Sequence, residues 1–544
     1  MSLEHIRDLA KYGVLCDPDP YDLPDTAWSF GLNVRFRNGK VSSGPVFRKA
    51  FELGTANPRY SFAASPTSGL DLLFTGYLNG KLYKFNGTET DFTLAGYTPS
   101  SAEAQWSNTS LGNVLYVNRS DRAPWYLRTS DVAFQNLGVI GGAPASWDST
   151  YTCGLLRTCG GALVALNVTK GATNFPTMIK TSSIPLSGVI PASWDFSLPN
   201  TLATENILAE MKSSIVDAQT LGPQLVIYGL QEAWMMQADG SQQVYNYRKL
   251  PFQKGSLNAN CSLELDGKHY VFGVDDIWMH DGNSEVSIVD KANRDFIFSS
   301  INLSKKNRCF IQHNPQLKEI SFCYISGDRG VGFLGEPDGC NRAAVYNYTD
   351  KTMTFDDLPL VFSASNANLS ISATYATTTA TYDTTGGSYL DQEDGFKRTP
   401  VFVGTASTTY SLATALYAQD LFGQGSTVSF PVDTHATLAR VLERDGIDLD
   451  SLNADLRGYK TLSSLYPQGR LGDGASTLMF SVGSSDYSNV APVFSDYQAF
   501  DGAALYKLDF NVGGRFLSIH AKFSDYKEMS LSGFDLDLHA TGNS

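Results

Sequence analysis

The sequence predicts a mainly β protein with a β-propeller-like region, a smaller C-terminal β domain and few helices. Three observations lead there. Glycine (48), phenylalanine (31) and tyrosine (27) are abundant among many Ser and Thr, a composition of strands and turns. From about residue 30 to 360, short apolar runs alternate with Asn-Gly and Asp-Gly turn dipeptides. The stretches "KLYKFNGTETDF", "DIWMHDGNSEVSIV" and "AVYNYTDKTMTF" follow one plan, an aromatic strand, a polar turn and a shorter strand. Loose repetition of such units is the pattern of propeller blades, and a set of stacked β-sandwiches is the alternative.

The first element is "LNVRFRNGKV". Leu32, Val34 and Phe36 alternate with Asn33, Arg35 and Arg37, and Asn38-Gly39 closes a type I′ hairpin. Further hairpins are expected at Asn79-Gly80, Asp266-Gly267 and Asp281-Gly282, with another turn at Asn86-Gly87. Helical spacing appears in "NTLATENILAEMKSS" (200–214) and in "DTHATLARVLERDG" (433–446), and a second helix is possible at 452–456. Between these, a Ser/Thr/Ala/Tyr-rich segment reads as exposed strands or an excursion to a neighbour. Strands resume at "LMFSV", "ALYKLDFNV", "RFLSIHAKF" and "SLSGFDLDLHA". The expected organisation is an N-terminal segment at 1–30, the propeller-like region at 31–360, an insertion at 361–470 and a C-terminal β domain at 471–544.

Net charge is −14, with 18% charged residues, so a protein that grips nucleic acid by neutralising phosphates is not expected. No run of 18 apolar residues occurs, and the opening "MSLEHIRDLAKYG" has no apolar core of a signal peptide. The seven cysteines are scattered without a CxxC pair, which fits free thiols and synthesis in a reducing cytoplasm.

A search for chemistry finds little. The seven histidines include no HExxH, and no GxSxG elbow occurs. The Gly-rich run at 326–340 lacks the GK[ST] ending of a phosphate loop. Asp275-Asp276 and Asp356-Asp357 are adjacent carboxylates, and neighbours on a strand point to opposite faces. "DGIDLD" (445–450) lacks the glycine and terminal glutamate of a calcium loop. His280 reads as a satisfied turn histidine. No catalytic residue, metal or cofactor is assigned.

The opening stretch carries a resemblance. Pro24, Trp28, Ser29, Gly31, Asn33, Val34, Arg35, Phe36, Arg37 and Gly39 match the N-terminal signature of tail nozzle (tail tube or hub) proteins of short-tailed bacteriophages. The segment 160–195 is similar to the family's central segment, although "IKTSS" stands where an Arg-Trp-Ser run is frequent. Near the end, Gly514-Arg515 and the "SGFD" at 532–535 are similar to its closing domain. The resemblance covers the chain to about 360 and again from about 470. It implies a propeller-containing structural subunit in the virion, made in the host cytoplasm. Six copies would form a ring on the head-to-tail adaptor and meet tail fibre or needle proteins. Duplex DNA would pass through without sequence-specific binding, and no lumen residue is assigned. On such a subunit Arg35 and Arg37 are expected to meet carboxylates of a neighbour or of the adaptor, with a solvated strand face as the alternative.

Two other readings compete. In a carbohydrate-binding receptor-recognition component, Trp125 and Trp278 would stack on sugar rings. In a glycan-degrading enzyme, paired carboxylates would act on the glycosidic bond.

Overall fold

The computed structural model describes residues 2–542 except 65–71, 86–87, 139–146, 199–200, 241–243, 328–337, 368–397, 407–411, 421–439, 450–457, 472–477, 503 and 524–528. The turn at Asn86-Gly87, the body of the Gly-rich run, most of the Ser/Thr-rich segment and the possible helix at 452–456 lie outside the described residues.

Among the described residues strands dominate, as expected, and they form seven sheets. Five are four-stranded antiparallel meanders that follow one another in the chain. They open with Pro58–Ala64, Trp106–Leu111, Tyr151–Cys159, Asp217–Leu221 and Ser262–Leu265. Successive meanders share apolar cores. Phe62 and Phe74 of the first pack with Trp106 and Val117 of the second. Leu166 and Ile179 of the third pack with Ile227 and Trp234 of the fourth.

The other two sheets are larger. A thirteen-stranded sheet runs from Phe310–Asn314 through Thr352–Ala367, Phe30–Leu32, Arg440–Ile447 and Phe516–Phe523 to Leu478–Ser485 and Val493–Phe494. A six-stranded sheet joins Val34–Arg37, Lys40–Ser43, Met529–Gly542, Tyr459–Leu471 and Leu508–Gly514, with Ser2–Arg7 also on Met529–Gly542. The largest core draws on strands from both ends of the chain, including Trp28, Phe36, Phe322, Phe355, Leu442, Phe480 and Leu536.

Among the described residues no sheet closes into a propeller or a barrel, so the β-propeller expected over 31–360 is corrected to an array of open sheets. The repeated hairpins are real, but they specify only neighbouring pairs. The strands between 310 and 367 pair onward into partners as distant as residue 523.

Two helix expectations are also corrected. Within the expected helix at 200–214, the described residues 201–214 hold turns and the short strand Glu205–Ile207. Of the helix expected at 433–446, residues 433–439 lie outside the described residues, and Arg440–Ile447 is a strand, paired on one side with Phe30–Leu32 and on the other with Phe516–Phe523. Among the described residues the one α-helix is Arg294–Ser300. Its free N-terminal amides at Asp295 and Phe296 donate to the Asp17 carboxylate, both at 2.9 Å. That cap comes from the far end of the chain, so no local signal announced the helix. None of the seven cysteines is in a disulfide among the described residues, and six of them are buried.

Candidate functional site

The residues singled out by resemblance gather where the chain passes between the two large sheets. Phe30–Leu32 belongs to the thirteen-stranded sheet and Val34–Arg37 to the six-stranded one, and Asn33 makes the crossing in the left-handed region, with φ +56°. Asn tolerates that conformation better than other side-chain-bearing residues. Its Oδ1 accepts the Asp357 amide at 2.9 Å, and its own amide donates to the Phe355 carbonyl at 2.8 Å. The return crossing lies at the other end of the sequence. Leu508–Gly514 is in the six-stranded sheet, Phe516–Phe523 in the thirteen-stranded one, and Arg515 joins them. Buried Lys460 clamps this crossing by donating to the Arg515 carbonyl at 2.6 Å and the Gly458 carbonyl at 3.2 Å.

Gly514 is small for a packing reason. A Cβ there would sit 2.6 Å from the Cβ of Ser484 on the neighbouring sheet. Gly514→Ala is therefore expected to cost about 1–3 kcal/mol. The measurement is the chemical unfolding midpoint, and an unchanged midpoint would count against this close contact.

Trp28 and Phe36 are core residues, and the Trp28 indole donates to the Leu9 carbonyl at 2.9 Å. Gly31 pairs with Leu442 inside the thirteen-stranded sheet. Asn38 and Gly39 have φ +50° and +74°, the turn that their sequence predicts.

Arg35 and Arg37 both find carboxylates within this chain. Arg35 is only 4% exposed, and its carboxylate partners belong to this chain. Its two terminal nitrogens grip both oxygens of Asp356, at 2.7 and 2.5 Å, and its Nε donates to Glu319 Oε2 at 2.9 Å. Arg37 reaches the other Glu319 oxygen at 2.5 Å and also donates to the Leu317 carbonyl. Two cations and two carboxylates thus form a neutral, buried cluster. Burial opposes the Arg35 charge, and Asp356 and Glu319 more than offset it, so its pKa is raised. Next to it, Asp357 pairs with fully buried Arg342 at 2.6 Å. The adjacent aspartates therefore serve separate ion pairs and do not converge as an acid and a base.

A second polar network lies between the fourth and fifth meanders. Tyr228 Oη is 2.6 Å from both His269 Nδ1 and His280 Nε2. His280 Nδ1 accepts the Gly282 amide at 3.1 Å, so the proton of a neutral ring sits on Nε2. His269 Nε2 lies 2.7 Å from the Thr220 carbonyl, which requires a donor there. The direction is then fixed: His280 donates to Tyr228, Tyr228 to His269, and His269 to Thr220. Burial lowers the pKa of His269 to about 4 and, with His269 beside it, that of His280 to about 3. Both rings are neutral and fully used, and His280 is a structural residue.

Trp125 and Trp278, the sugar-stacking candidates, are 2% and 0% exposed. Arg122 lies 3.5 Å over the Trp125 ring, and His280 stacks on Trp278. Glu443, Asp445 and His520 could offer ligand atoms within 4.8 Å of one another on one sheet face, where Asp445 pairs with His520 at 3.0 Å. Sequence reasoning considered Asp445 only within its own loop; His520 comes from the neighbouring strand, opposite Glu443. An open cleft of about 620 Å³ lies beside the six-stranded sheet, lined in part by Lys40, Arg470, Phe500, Leu505 and Tyr506.

No protein-family model matches the chain, and no curated protein matches it. Among solved structures, the chain is similar to the crystal structure of the WD40 beta propeller domain of Doa1. The TM-score is 0.35 at 10% identity, over 59% of this chain and 90% of that one. A likeness at that level carries no argument about fold or function.

Proposed function

We propose that the chain is a structural subunit of the tail nozzle of a short-tailed phage. Six copies form a ring below the portal and its adaptor, in contact with fibre or tip proteins, and genome DNA leaves through the ring. The observation that carries this reading is the position of the signature residues. Those from both ends of the sequence lie at crossings between the same two sheets, where they hold the body together and are spent on internal contacts. Such residues fit a protein whose work is to keep a shape under load. Net charge fits as well, because a conduit at −14 per chain repels the phosphate backbone in place of retaining it. Screening limits that repulsion to about 10 Å at moderate salt.

Electron microscopy of the purified chain at high concentration tests the proposal. Six-fold rings with an axial hole wide enough for duplex DNA are expected. Single chains at every concentration would overturn it.

A further inference from the structure

The chain carries two exposed apolar surfaces on different elements. The first is a long loop between the third and fourth strands of the third meander. Its base is tied by Thr181 and Thr204, whose hydroxyls are 2.8 Å apart, and by the Ser183 amide on the Ser193 carbonyl at 2.8 Å. Trp194 is buried beneath it, 4.9 Å from Trp147. The loop is therefore anchored, yet Ile184, Leu186, Val189, Phe196 and Leu198 point outward, and Ile207 continues them. Leu186 is 79% exposed. Each of the six is at least 47% exposed, so the loop presents several large apolar side chains to solvent, the kind of surface that marks a contact site.

The second surface is the cleft beside the six-stranded sheet. Leu505 and Tyr506 stand at its rim, with Tyr506 74% exposed. Lys40 and Arg470 line it, and among the described residues neither has a carboxylate within ion-pair distance. The loop supplies the complement. Asp195, beside Phe196, is in no ion pair among the described residues: its carboxylate takes the Ser197 amide and hydroxyl, and Lys180, the cation whose charge it feels, is paired with Glu205 at 2.9 Å.

We propose that the loop at 184–198 of one copy docks in the Lys40–Arg470–Tyr506 cleft of the next. The apolar side chains cover Leu505 and Tyr506, and Asp195 meets the two cations. Two different complementary surfaces on one chain make a head-to-tail contact, which closes into a ring when the rotation per step divides the circle. The inference rests on the ring reading above and adds which surfaces build the ring.

The test uses the full chain and two variants at exposed positions, Leu186→Arg and Tyr506→Arg. Light scattering after size exclusion measures mass, and circular dichroism checks that each variant is folded. Wild type is expected as a ring, and each variant alone at the 59.2 kDa of one chain, a sixfold loss of mass. Mixed one to one, the variants are expected to form dimers and stop there. The intact loop of Tyr506→Arg fits the intact cleft of Leu186→Arg, and the two surfaces left over are both damaged. Rings that survive either substitution would overturn these surfaces and leave the ring reading standing. A mixture that stays at one chain would overturn the pairing of this loop with this cleft. Wild type at one chain throughout would overturn the ring reading and the docking together.

Discussion

Replacing Arg35 with methionine is expected to destabilise the protein by about 3–5 kcal/mol, because it strands Asp356 and half of Glu319 as buried charges without their main partner. The size of the effect comes from that asymmetry, and the ion pair's own net contribution is small. Lysine at 35 is expected to fall in between. It keeps the charge but lacks the planar fork that grips both Asp356 oxygens. The informative variant is the double change Arg35→Met with Asp356→Leu. Glu319 keeps Arg37 at 2.5 Å, so no carboxylate of the cluster is left alone, and most of the lost stability should return. Denaturant midpoints measure all three. A double variant as unstable as the single one would show that the cost lies in packing.

The second large effect is a loss of stability in mild acid, traced to the His280–Tyr228–His269 chain. Both imidazoles have pKa values lowered in the folded protein, to about 3 and about 4, against an ordinary value near 6.5 in the unfolded chain. As pH falls, the unfolded chain binds these two protons first. Stability therefore holds above about pH 6.5 and declines as pH drops toward 4, by about 4 kcal/mol between pH 6.5 and 4.5. Carboxylates of ordinary pKa stay largely ionised only down to about pH 5.5, so the slope between about pH 6.5 and 5.5 is the part that belongs to the imidazoles. The unfolding midpoint against pH is the measurement. A level midpoint from 6.5 to 4.5, or a slope that persists when both histidines are replaced by glutamine, would contradict the assignment. Tyr228→Phe probes the same network at neutral pH. It leaves the His280 N–H and the His269 lone pair without partners, at about 2–4 kcal/mol for the two groups.

These two networks also mark the limit of what the sequence could reveal. Asn38-Gly39 and Asp266-Gly267 were legible because a two-residue turn is set by the φ preferences of its own residues, and both pairs have positive φ. The period-two pattern of Leu32, Val34 and Phe36 was legible for a similar reason, and all three are core residues. The same pattern misled at Arg35, because a polar residue opposite an apolar face reads as solvated. Its partners lie 284 and 321 residues away.

Arginine caused the clearest misreading. In Arg440–Ile447 the inward positions are Arg440, Leu442 and Arg444, all buried, while Val441 and Glu443 are half-buried. Two inward arginines hide the strand's alternation and leave Leu438, Val441 and Leu442 to imitate a helix. Arg444 is tolerated there because it donates to the Pro20 carbonyl at 2.7 Å and the Leu23 carbonyl at 2.9 Å. Burial still lowers its pKa to about 10.

The sequence by itself determined the strands, the tight turns and the scarcity of helix, since each depends on residues within a few positions of one another. Only the tertiary structure decided which strands share a sheet, and that Asn33 and Arg515 are crossings between the same two sheets. Those outcomes depend on hydrogen bonds and ion pairs between segments from 55 to more than 300 residues apart. Their free energy comes from how buried charges and backbone groups find partners, and no local pattern encodes that.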